Sequence, residues 1–271
     1  MATALAVAAG AWHATPASAH AGAHAAAGPR AALSAAFQPL RLGAATTISF
    51  AVRIDAAGEA APTPISRVEV SYPSDLGLAT SQLGLADCSP AALLLQGDEA
   101  CPADSKMGQG TARVEVPFGP EVVSENVALG IFAAPSSDGY VHLAIVAEGK
   151  YPVIARIVLA GVLLVGRLRI TIPPIATLPG APYASLVSMR ASLGGALTYY
   201  EDVHGRSVAY RPRGIGLPES CPRGGWRLGA SFAFIDGLSS HATTVVACPR
   251  GGGVRQTPVS GRTRSAIGRR A

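Results

Sequence analysis

Apolar and polar residues alternate with a period of two in one short stretch after another. Over 47–55, Ile48, Phe50, Val52 and Ile54 share one face, and Thr47, Ser49, Arg53 and Asp55 share the other. Residues 67–72 alternate in the same way up to Pro73, and 111–116 up to Pro117. A half-buried β-strand has this period. Further strands are expected at 127–133, 140–147, 153–159, 162–172, 186–193, 196–200 and 206–210, with a Pro-rich connector over 173–183. Many short strands between turn signals argue for an all-β fold. The expected form is an immunoglobulin-like or related antiparallel β-sandwich. The 31 Gly and 21 Pro, with only 14% charged residues, exclude a coiled coil or long-helix architecture. An apolar fraction of 49% with a small net charge does not suggest a disordered chain.

Two further elements have local signatures. Ser89-Pro90 followed by Ala-Ala-Leu-Leu-Leu-Gln and Gly97 reads as an N-cap, a first-turn proline and a terminating glycine, hence one short helical turn. Trp226, Leu228, Ala230, Phe232 and Phe234 line one face of a strand that turns at Asp236-Gly237 and returns over 241–248.

The two ends of the chain differ from its body. Half of the first 36 residues are Ala. Within them, 2–12 has the length of a signal core, and Ala17-Ser18-Ala19 and Ala19-His20-Ala21 are small-x-small cleavage sites. Residues 1–36 are therefore expected to be a signal peptide with an Ala-rich leader, and the protein to be extracytoplasmic and associated with the cell envelope. At the other end, 250–271 carries six Arg and no acid. The net charge of +5 thus belongs to the tail, because the remainder holds 16 basic and 17 acidic residues. The tail lacks apolar periodicity and is expected to be disordered. Arg262, Arg264, Arg269 and Arg270 could contact an anionic polymer. The tail has no aromatic on which a base could stack, which argues against nucleic acid. The most apolar internal stretch, 153–165, is interrupted by Arg156 and is too short for a spanning helix, so no transmembrane segment is expected.

Four cysteines agree with export. Cys88 and Cys101 are 13 apart, and Cys221 and Cys248 are 27 apart, so spacing favours these two local disulfides. Zinc-type Cys-x-x-Cys spacing is absent, and neither a metal nor a cofactor is expected. The boundaries divide the chain into an N-terminal β region at 37–118, a central β region at 119–210 and a disulfide-tied hairpin unit at 211–249.

Two cysteine-centred segments carry a resemblance. Cys101, Pro102, Ser105, Gly108, Gly110 and Ala112 form a Cys-Pro-x-x-Ser-x-x-Gly-x-Gly-x-Ala pattern. Cys221, Pro222, Gly224, Trp226, Phe232, Phe234, Asp236, Gly237 and Cys248 form a second. Together they resemble uncharacterised secreted proteins of high-GC actinobacteria. The resemblance implies an exported, disulfide-bonded β protein and supplies no catalytic residue. Gly108 and Gly110 are expected to permit a turn or a close backbone approach.

No nucleophile elbow, zinc-protease helix, phosphate loop or dinucleotide glycine pattern is present. His142 reads as a half-buried strand residue, and Ser239-Ser240-His241 lacks a visible acid. The densest polar and aromatic cluster is Tyr199, Tyr200, Glu201, Asp202, His204 and Tyr210. Exposed tyrosines beside carboxylates suit a glycan, and this cluster is the best ligand site the sequence offers. The favoured expectation is a non-enzymatic secreted or cell-surface β protein with a structural, adhesion or recognition role. An envelope glycan- or anionic-polymer-binding module is the alternative, and a hydrolase is the least favoured.

Overall fold

A computed structural model describes residues 28–249, apart from 57, 59–60, 78–82, 119–120, 152–153, 177–179, 181 and 196–197. The expected cleavage sites and the arginine tail lie outside the described residues. Fourteen strands form among those described. They are β1 (Arg30–Gln38), β2 (Ala45–Asp55), β3 (Ile65–Ser71), β4 (Lys106–Phe118), β5 (Glu121–Ala134), β6 (Val141–Gly149) and β7 (Ala155–Leu164). They continue with β8 (Arg167–Thr171), β9 (Ser185–Gly194), β10 (Tyr199–Val203), β11 (Arg206–Tyr210), β12 (Ile215–Gly216), β13 (Trp226–Phe234) and β14 (Ser239–Val246). Among the described residues one α-helix forms, α1 (Pro90–Gln96), between Cys88 and Cys101, followed by 3-10 turns at Asp98–Ala100 and Ala103–Ser105.

All but β10 and β11 belong to one sheet, in the order β1-β2-β9-β4-β5-β6-β7-β8-β3-β13-β14, with β12 added beside β2. Every ladder given for it is antiparallel. Its two edges return to each other, where the Ala31 amide donates to Ser240 Oγ at 3.0 Å. The fold is therefore a nearly closed barrel of a single sheet, where two facing sheets of an immunoglobulin-like sandwich were expected. Alternation alone does not separate the two forms, because both bury every second residue. The sheet also interleaves the three β regions. β9 sits between β2 and β4, and β3 sits between β8 and β13.

Two local expectations need correction. The Ala-rich leader was expected to run to residue 36, but β1 starts at Arg30 and pairs with β2 along its whole length. Its inward residues Ala31, Leu33, Ala35 and Phe37 all pack into the barrel. The expected strand at 162–172 is split by a turn at Val165-Gly166, where Gly166 takes a φ of 69°.

Most strands direct apolar residues inward and polar residues outward; on β5, β6 and β7 the outer face also carries apolar residues, among them Phe132, Val146, Val158 and Val162. On the outer surface Glu69 pairs with Arg167 at 3.3 Å and Arg169 at 3.4 Å, and Arg113 pairs with Glu115 at 3.3 Å. This polarity is the reverse of a lipid-embedded barrel. No helix of the described residues is long and apolar enough to cross a membrane.

One barrel end is closed. Trp226, Phe37, Leu76, Leu83, Ile215 and Leu217 pack there, beneath the segments that lead into α1 and β13. The Cys221–Cys248 disulfide ties the base of the β13–β14 hairpin at this end. The Cys88–Cys101 loop lies outside the barrel. Cys88, and Leu93 of α1, cover Phe132, Ala134, Ala144 and Val146, so residues 130–134 of β5 and 143–147 of β6 are buried on both faces. Gly108 and Gly110 lie within β4 and serve a close approach to β9. A Cβ at either would meet a β9 carbonyl oxygen, of Ser192 or Arg190, at 2.3 Å.

Candidate functional site

The polar cluster chosen from sequence is a small separate hairpin of β10 and β11, and its members do not share one surface. Val203 and Arg206 close a two-residue turn of His204 and Gly205, whose φ values of 55° and 76° fit the primed turns of tight hairpins. Asp202 Oδ1 accepts from the Gly205 amide at 2.7 Å, so this carboxylate braces the turn. Strand alternation places Tyr199 and Glu201 on one face and Tyr200 and Asp202 on the other. Tyr199 is 6% exposed and Tyr200 66%. Glu201 Oε2 accepts from the Ala103 amide at 3.4 Å, which seats the hairpin on the Cys88–Cys101 loop segment. Lys106, held by Asp98 at 2.6 Å, lies 5.7 Å from the Tyr199 ring and 5.4 Å from the Phe132 ring. No hydrogen bond joins His204 to Glu201 or Asp202 among the described residues. The hairpin thus presents one exposed tyrosine rather than a platform of several.

The Tyr199 hydroxyl is buried without a hydrogen-bond partner. Burial, and then the neighbouring Tyr210 phenol, push its pKa up to about 12. Burial, followed by Asp104, also raises Tyr210. A raised phenol pKa favours the protonated folded state. Its contribution is intact below the unfolded value near 10 and is lost as pH climbs toward about 12. Tyr199→Phe removes both the orphan hydroxyl and this titration. It is expected to raise stability at pH 8 by about 1 kcal/mol and to flatten the loss between pH 10 and 12. Urea midpoints at pH 8 and pH 11 check this, and a variant less stable at pH 8 would contradict it.

The described histidines form no catalytic array. His142 Nε2 lies 2.9 Å from both oxygens of Asp138, and Ser136 Oγ donates to the same carboxylate at 3.0 Å. The hydrogen bond from His142, then the Tyr140 amide, holds the Asp138 carboxyl below its usual range. The carboxylate, not the imidazole, receives the serine, so no nucleophile is activated. His241 Nδ1 meets Ser231 Oγ at 2.9 Å, while Ser240 faces the Ala31 amide at the barrel seam. Among the described residues no group of three His, Cys, Asp or Glu could hold a metal.

The site that sequence reading missed is inside the barrel. A cavity of about 270 Å³ is walled by inward residues of nearly every strand. An eight-stranded barrel is just wide enough for side chains to fill, and diameter grows with strand number. Eleven strands surround this interior, so opposite walls do not meet everywhere. The packed clusters occupy the closed end and the side of β1, β2, β3 and β13. On the remaining side, Val114, Val127, Leu129 and Ile157 face the cavity and belong to neither cluster.

The far end of the cavity lies at Gly149, Ala155, Ile175 and Ala184. Ala155 is exposed there, and Tyr151 and Ile154, between β6 and β7, are 74% and 89% exposed. The connector from β8 to β9 crosses this end and lends Ile172, Ile175 and Ala184 to the wall, with Ala184 donating its amide to Ile175 O at 2.9 Å. Among the described residues Glu125 is the single charged residue of the wall. It is 6% exposed, and its Oε1 accepts from the Tyr151 amide at 3.1 Å. Gly149 leaves room for it, since a Cβ there would collide with Oε1.

Fold and site together define a nearly closed antiparallel β-barrel with an apolar cavity. No family model matches the chain, and neither a curated protein nor a solved structure matches it.

Proposed function

We propose that this is a non-enzymatic extracytoplasmic binding protein whose barrel takes up an amphiphile with one aliphatic chain. The cavity carries this reading: it is apolar along its length, opens near exposed Tyr151 and Ile154, and lies close to the lower size range of small-molecule pockets. A recognition role without catalysis fits a wall that offers one carboxylate and no nucleophile. Two disulfides, which form and persist in oxidising compartments, support the extracytoplasmic setting. The hairpin at 199–210 supports a glycan reading less well, because Tyr199 turns away from solvent.

The test is a chain-length series of alcohols that displaces a fluorescent aliphatic probe. Each buried methylene contributes about 0.8 kcal/mol, so affinity is expected to rise roughly fourfold per carbon. The rise should end abruptly once the cavity is full. An affinity independent of chain length, or no displacement at all, would overturn the reading.

A further inference from the structure

We infer that Glu125 selects the polar end of the ligand, and that the barrel takes amphiphiles whose head group donates a hydrogen bond and carries no negative charge. This deepens the proposed function and rests on it. Three observations converge on Glu125. Its side chain is more than nine-tenths buried, yet it lines the cavity. One oxygen, Oε1, accepts from the Tyr151 amide, and Oε2 makes no hydrogen bond to another described residue and is not fully shielded from solvent. It also stands near the cavity end marked by Gly149 and Ala155, where the head of a chain-down ligand would lie.

A carboxylate in apolar surroundings gains from a donor and loses from a second anion. Water would normally satisfy Oε2, and an aliphatic chain that fills the cavity expels water. A hydroxyl or ammonium head restores a charge-assisted hydrogen bond at that oxygen. A fatty carboxylate places like charge beside it in a poorly solvated site, and must either bind as the neutral acid or stay out. Among the described residues the wall holds no lysine, arginine or histidine that would offset the repulsion. Lys150, between Gly149 and Tyr151, is exposed to solvent, and two further cations are directed elsewhere. Arg156 pairs with Glu148 and donates to Leu94 O on the outer surface, and Arg113 is engaged there by Glu115 and Ser124.

The experiment compares dodecanol, dodecylamine and dodecanoate at pH 8, below their micellar concentrations, in wild type and in Glu125→Gln. Glutamine retains an oxygen for the Tyr151 amide, and thermal unfolding of the variant checks that the barrel is intact. Wild type is expected to bind the alcohol and the amine at least tenfold more tightly than the carboxylate. Glu125→Gln should narrow that gap to under threefold, chiefly by admitting dodecanoate. Equal binding of dodecanoate and dodecanol by wild type would overturn the inference, as would a folded variant with unchanged discrimination. If none of the three binds, the apolar-chain reading itself fails; if all bind alike, only the role of Glu125 fails.

Discussion

Trp226→Ala is expected to cost about 4 kcal/mol of folding stability, the scale for deleting a buried tryptophan. Trp226 is fully buried, opens β13 opposite Val246 and sits where the closed end of the barrel meets the hairpin tied by Cys221 and Cys248. Its ring meets Phe37 of β1 edge-on, with centroids 5.5 Å apart and planes at 74°. The contact links β13 to β1, across the seam where the sheet nearly closes. Trp226 Nε1 has no hydrogen-bond partner, so the loss is one of packing and not of a polar bond. Domains of this kind have total stabilities of about 5–15 kcal/mol, so the variant should be marginal at 37 °C. Urea denaturation with disulfides intact checks it, and a loss under 1 kcal/mol would show that this end is not the anchor. A double-mutant cycle with Phe37→Ala should return a coupling of about 1 kcal/mol.

The second large effect is on binding. Val127→Trp is expected to reduce affinity for an aliphatic probe at least 30-fold while leaving the fold in place. Val127 points into the cavity and lies outside the packed clusters, so an indole there occupies free space rather than displacing core residues. That distinguishes it from ordinary overpacking, which costs about 1–3 kcal/mol. The control is Asn126→Trp, one residue away on the same strand and exposed on the outer face. Asn126→Trp should bind the probe as wild type does. Equal effects of the two substitutions on a displacement titration would mean that the ligand does not enter the barrel.

Strand positions were legible because alternation is a local signal. Ile48, Phe50, Val52 and Ile54 do face one way, and so do Leu228, Ala230 and Phe232. Closure into a barrel was not legible. It depends on which distant strands pair, as when β9 inserts between β2 and β4, and no local pattern encodes that choice. β1 was hidden by composition. Ala31 and Ala35 on the inner face and Ala32 and Ala36 on the outer face give almost no hydrophobic contrast.

The cavity residues were missed for a related reason. The expected strand at 127–133 began two residues too late to include Glu125. With β5 starting at Glu121, Glu125 shares parity with Val123, Val127, Leu129 and Ile131. A carboxylate on an apolar face was the readable anomaly. The polar residues of 199–210 cluster for structural reasons instead: Asp202 braces a turn and Glu201 fixes the hairpin to the segment at Ala103.

The central claim is that an aliphatic chain occupies the barrel interior. The most direct measurement is a crystal structure with 12-bromododecanol, located by the anomalous signal of bromine. A bromine peak is expected within the cavity, among residues such as Leu129, Ile131 and Leu143, with the hydroxyl toward Glu125. A peak confined to the outer surface, at Tyr200 or elsewhere on the β10–β11 hairpin, would contradict it.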